Sequence, residues 1–151
     1  MSDLTWSHVA LNCRDQDATE SFYRGVLGFR RARTVPLGDA RIVFLRLGGA
    51  LLELFDAEGD GGPAGAPDGP HAAGVPRHLA FQTDDLDAFL AGPGAGVPVS
   101  LGPLAFDDVI PGWRSVWLLD PDGVVVEVSQ GYRDQGPAEI DPEHTEEPPD
   151  E

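Results

Sequence analysis

The chain repeats itself, and the repeat restricts its possible folds more than any other feature. Residues 7–18 read SHVALNCRDQDA and residues 77–88 read RHLAFQTDDLDA. His8 aligns with His78, Ala10 with Ala80, Asn12 with Gln82, Asp15 with Asp85, Asp17 with Asp87 and Ala18 with Ala88. Later in each half, GALLEL at 49–54 aligns with GVVVEV at 123–128, which sets Glu53 opposite Glu127. Two spaced matches in one order define a duplicated module, and repeats of this kind bury their apolar faces against one another.

Each half has the same coarse layout, βαβββ. An alternating strand (6–12, 77–83) runs into an acidic helix start. In the first half Asp15 or Asp17 caps a helix with Ala18, Phe22, Tyr23, Val26 and Leu27 at helical spacing, ending at Gly28. In the second half Asp84 or Asp85 caps a shorter helix with Leu86, Phe89 and Leu90, ending near Gly92. Three strands are expected after each helix, at 30–36, 41–47 and 50–56, then at 97–105, 113–119 and 123–130. Turn signals stand at Leu37–Gly38–Asp39 and at Asp120–Pro121–Asp122–Gly123. Module one is placed at 4–56 and module two at 76–131, together one domain over 1–133. The Gly/Pro/Ala-rich stretch at 57–75 reads as a linker, because no amphipathic helix follows it to form a phosphate loop.

Composition narrows the chemistry. Residues 134–151 hold eight of the 26 acidic residues and four prolines, so they are expected to be a disordered acidic tail. All ten basic residues are Arg. Without Lys, neither Schiff-base catalysis nor a P-loop is available. A net charge of −16 argues against nucleic acid as a partner. The single cysteine, Cys13, excludes both an intrachain disulfide and a cysteine-based zinc site, and reads as a packed residue. No apolar run approaches the roughly 18 residues of a membrane span. The opening MSDLTWSHVA has no secretory pattern, so a cytoplasmic location is expected.

Strand alternation sorts the polar residues. His8 shares a face with Ala10 and Asn12, and His78 with Ala80 and Gln82. Glu53 shares a face with Leu51 and Phe55, and Glu127 with Val125 and Ser129. A carboxylate inside so apolar a strand needs a partner, and a metal ion or an Arg would serve. If the modules pair symmetrically, two imidazoles and two carboxylates converge on one point, a donor set suited to a divalent cation. His71 and His144 lack strand context and read as surface residues.

Over residues 5–131 the sequence resembles the vicinal oxygen chelate superfamily, also called the glyoxalase/bleomycin-resistance/dioxygenase family. The resemblance rests on SHVALNCRDQDATESFYRGVLGF, GALLELF, RHLAFQTDDLDA and LLDPDGVVVEVSQ. It implies an α+β fold in which two tandem βαβββ modules form a cupped, half-barrel mixed sheet. It also implies one divalent metal ion (Zn, Ni, Co, Mn, Fe or Mg) on His8, Glu53, His78 and Glu127, and a homodimer binding a small-molecule substrate. Glu127 is the first candidate for the proton-moving base and Glu53 the second.

Three activities are compatible with that resemblance. A metal-dependent isomerase, epimerase or lyase would move a proton next to a carbonyl on a substrate chelating through vicinal oxygens. An Fe(II) dioxygenase would use both histidines and one glutamate. A drug- or metabolite-binding resistance protein would use the cleft without catalysis. Asn12, Gln82, Trp113 and Arg114 are expected to contribute to the substrate walls, and Phe22 and Tyr23 to the core.

Overall fold

The computed structural model describes residues 3–61 and 65–132. The tail expected at 134–151 lies outside them, as do residues 62–64. Module one contains β1 (Val9–Cys13), α1 (Gln16–Gly25), β2 (Arg30–Leu37), β3 (Ala40–Leu47) and β4 (Ala50–Asp56). Module two contains β5 (Leu79–Gln82), α2 (Leu86–Ala91), β6 (Val99–Ala105), β7 (Arg114–Leu119) and β8 (Val125–Gln130). The duplicated βαβββ order is therefore present. Its strands form two four-stranded mixed sheets, ordered β1-β4-β3-β2 and β5-β8-β7-β6.

The sheets are equivalent in register as well as order. In each, the first strand runs parallel to the last, with Ala10 opposite Glu53 and Ala80 opposite Glu127. A parallel pair cannot be joined by a tight turn, so the helix and two antiparallel strands serve as the crossover. Both helices begin at an aspartate: Asp15 accepts from the Ala18 amide and Asp85 from the Ala88 amide. Of the two alternatives in each half, the later one in the first half (Asp17) and the earlier one in the second (Asp84) are not the caps. The first helix also ends earlier than expected, at Gly25 rather than Gly28.

One core joins the modules. Val43, Leu45, Leu52 and Leu54 of the first sheet cluster with Val116, Leu118, Val126 and Val128 of the second, with Tyr23 and Leu86 from the helices. Phe29 and Phe81 meet edge-on across the modules at 5.8 Å. Polar ties reinforce the join at the turn between β7 and β8. Asp122 accepts from the Arg14 Nε and the Thr19 hydroxyl, and Asp120 accepts from the Tyr23 hydroxyl at 2.9 Å. By strand alternation, Glu53 and Glu127 stand on the faces turned away from this shared core.

Candidate metal centre

The four residues selected by the repeat form two matching pairs. His8 Nε2 lies 2.7 Å from Glu53 Oε2, and His78 Nε2 lies 2.9 Å from Glu127 Oε2. Parallel pairing produces both, because each histidine immediately precedes the strand that lies beside its glutamate's strand. The partner demanded by each apolar-strand carboxylate is thus an imidazole in the first instance.

Neighbouring groups orient both rings. The His78 Nδ1–H donates to the Asp68 carbonyl at 2.7 Å, and His8 Nδ1 shares a 2.7 Å hydrogen bond with the Ser7 hydroxyl. In a neutral His78 this leaves the Nε2 lone pair facing a carboxylate oxygen, so a cation belongs between them, either a proton or a metal ion. Two ligand atoms at metal bonds of about 2.1 Å and a right angle stand roughly 3 Å apart. The 2.7 and 2.9 Å separations come close to that spacing. Each pair therefore fits two adjacent positions around a divalent ion.

Glu127 is held more firmly than Glu53. Its Oε1 accepts from the hydroxyls of Ser115 and Ser129, each at 2.8 Å, and Trp113 Nε1–H donates to the Ser115 hydroxyl. Trp113 itself packs between Phe106 and Tyr132. Trp117 pairs with Glu127 across the strands, and its buried Nε1–H has no acceptor among the described residues. Ser115, Ser129 and Trp117 were not assigned from sequence as site residues, although Ser129 falls on the Glu127 face by alternation.

The two pairs do not meet within one chain. Among the described residues, no three His, Cys, Asp or Glu side chains gather closely enough to hold a metal ion. The physical reason is the shared core, which turns the Glu53 and Glu127 faces away from each other. A cleft of about 630 Å³ lies along β1, the start of β5 and the linker, and includes Asn12 and His78 on its wall. Gln82 lies on a second, shallower surface beside Gln130 and Tyr132. Arg114 is adjacent to Ser115 in β7 and so projects to the opposite, helix-covered face, where its guanidinium binds Asp87 in α2 at 2.9 Å. Alternation along that strand separates Arg114 from the Glu127 face.

Three further residues lie in or against the core. Cys13 is fully buried in the core, as expected for a packed residue, and burial raises its thiol to about 11. Tyr23 is equally buried, and Phe22 packs against the same core, as expected.

The matching family model, Glyoxalase/Bleomycin resistance protein/Dioxygenase superfamily, spans residues 5–128, and the chain belongs to that superfamily. It is 32% identical over 84 residues to the mitochondrial methylmalonyl-CoA epimerase of Mus musculus, covering 54% of this chain and 47% of the mouse protein. The chain thus spans about half the length of that relative. An uncharacterized Escherichia coli protein, YaeR, is 37% identical over 92 residues, 56% of this chain and 64% of its own length. Among solved structures, a glyoxalase family protein from Enterococcus faecalis is 30% identical at a TM-score of 0.63, over 86% of this chain and all of its own. The fosfomycin resistance protein FosX of Listeria monocytogenes, complexed with Mn(II) and sulfate, has a TM-score of 0.63 at 18% identity, covering 87% of this chain and 95% of its own. At that identity the likeness is one of fold.

Proposed function

We propose that the protein is a metal-dependent isomerase, epimerase or lyase that moves a proton next to a carbonyl. The observation that carries this reading is the doubled His–Glu pair at register-equivalent positions. His8, Glu53, His78 and Glu127 would hold one divalent ion, with the first two from one chain and the last two from a second copy. A homodimer would then contain two such centres. The ion, when bound, would act as a Lewis acid on a chelating substrate and make the neighbouring C–H more acidic.

The chain's own groups do the rest. The serine hydroxyls on Oε1 fix the Glu127 carboxylate, which limits its reorganisation as it takes up a proton. Glu53, with the more accessible carboxylate of the two, is suited to proton transfer on the opposite substrate face. Its match to an epimerase over half the chain is consistent with two carboxylates serving two faces.

Metal content of the purified protein, measured beside His8→Ala and Glu127→Ala variants, tests the reading. Wild type is expected to hold one divalent ion per chain, and each variant to bind at least tenfold more weakly, since removing even supporting groups of a site costs about 10–100-fold. A wild type that neither holds nor is stabilised by any divalent ion would leave the binding-protein reading in its place. Activity that required Fe(II) and O₂ would replace proton transfer with the oxygenase reading.

A further inference from the structure

The distribution of arginines is uneven in a way the His–Glu pairs do not explain. Nine of the ten arginines lie among the described residues. Six have a carboxylate within ion-pair distance: Arg14, Arg24, Arg31, Arg41, Arg77 and Arg114. The other three, Arg30, Arg33 and Arg46, have none among the described residues, although the chain carries 26 acids. All three are exposed and belong to one sheet.

They also share one face. In antiparallel strands, directly opposed residues point to the same side. Arg30 opposes Arg46, Arg33 opposes Phe44, and Phe44 opposes Glu53. Phe44 and Arg46 alternate with Val43 and Leu45, which are buried in the core, so the arginines stand on the Glu53 face. In a regular strand Arg30 and Arg33 would point to opposite sides. A bulge between Arg31 and Arg33 inserts Ala32 and brings Arg33 round to the side of Arg30, while Arg31 stays with Glu20 on the helix side.

Two features of this arrangement point to a ligand. Like charges directly opposed across strands repel, so the Arg30–Arg46 pair is unfavourable until an anion lies between the two. The cluster also adjoins the candidate centre: Glu53, Phe44 and Arg33 lie abreast on three neighbouring strands, and the His8 ring meets Phe44 edge-on at 6.3 Å. Adjacent strands are about 4.8 Å apart, so Arg33 stands roughly 10 Å from Glu53 along that row. That separation suits a substrate whose reacting carbon and anionic end are several bonds apart.

We propose that Arg30, Arg33 and Arg46 form a subsite for a phosphate group carried by the substrate. Three guanidinium forks match the charge and the several acceptor oxygens of a phosphate better than those of one carboxylate. The proposal deepens the proton-transfer reading by assigning the substrate's remote end, and rests on it only for that link.

Titration of the full chain with inorganic phosphate, in low salt with a chelator present, tests the subsite without requiring activity. Binding is expected in wild type, weaker by about tenfold in Arg33→Gln and in Arg46→Gln, since each loses a charge-assisted hydrogen bond. Arg24→Gln, an arginine held by Glu20 on α1, should bind like wild type. No phosphate binding, or equal binding by all four proteins, overturns the proposal. So does binding that emerges only when Glu146, Glu147, Asp150 and Glu151 are changed to their amides, because the acidic C-terminal segment would then be the occupant. Divalent metal binding measured separately on the same proteins distinguishes failure of this subsite from failure of the metal centre.

Discussion

Asp120 shows how one side chain can carry both structure and pH dependence. Its Oδ1 accepts the amides of Asp122 and Val124, closing the turn, and its Oδ2 accepts the Tyr23 hydroxyl. Burial pushes its carboxyl above the usual aspartate range, although these hydrogen bonds pull the other way. A folded-state pKa above the unfolded value means the protonated form is favoured by folding. This group's contribution is therefore fully present below the unfolded pKa and is lost as pH rises through the folded one. Asp120→Asn should keep the turn bonds and remove that loss. In urea unfolding the stability of the Asn variant relative to wild type should rise between pH 4 and pH 7, leaving it at least as stable as wild type at pH 7. Asp120→Ala, which strands two amides and a hydroxyl, should cost about 2–3 kcal/mol. A pH dependence unchanged in the Asn variant would count against burial as the cause. The aspartate is visible in the DPDG turn, but its burial comes from α1 of the other module, so the sequence does not reveal its altered titration.

The elements themselves were largely legible from local signals. Strand alternation, aspartate caps and turn residues placed all ten elements in the right order, because each signal acts over a few residues. The ends were less legible. The alternation around His8 extends beyond the hydrogen-bonded strand, which begins at Val9. At the helix starts, Asp15 and Asp17 were equally good caps on type alone, and side-chain geometry selects Asp15. Asp15→Ala should therefore destabilise the fold by about 1 kcal/mol in chemical denaturation, whereas Asp17→Ala should lose only an exposed contact with Arg41, worth roughly 0–1 kcal/mol. Equal losses would make the cap assignment wrong. The bulge at Ala32 carries no turn signature, which is why its consequence, three arginines on one face, could not be read in advance.

At the scale of the molecule the decisive fact is which faces the core consumes. Both sheets turn their Val/Leu faces and helices inward, and the join is fastened by Arg14, Thr19 and Tyr23 of module one on the DPDG turn of module two. Each His–Glu pair is left on an outward face of its own sheet. A centre using all four residues then requires a second chain, and complementation tests that requirement. A chain with His8→Ala and Glu53→Ala is mixed with one carrying His78→Ala and Glu127→Ala after co-refolding. Mixed dimers are expected to regain one metal site of two, while each doubly substituted protein alone holds none tightly. No recovery in the mixture would place the centre within one chain.

What the sequence determined by itself was the module, its duplication and the equivalence of His8 with His78 and Glu53 with Glu127. These follow from local propensity and from side-chain periodicity, which need no knowledge of distant residues. It also narrowed the catalytic toolkit to metal, carboxylate and imidazole, through the absence of lysine. Only the tertiary structure decided how the two modules face each other, that the His–Glu pairs are two rather than one set of four, and that three arginines share the Glu53 face. Those outcomes depend on which apolar surfaces bury one another and on a single-residue shift in strand register. Both are set by contacts between segments far apart in the chain.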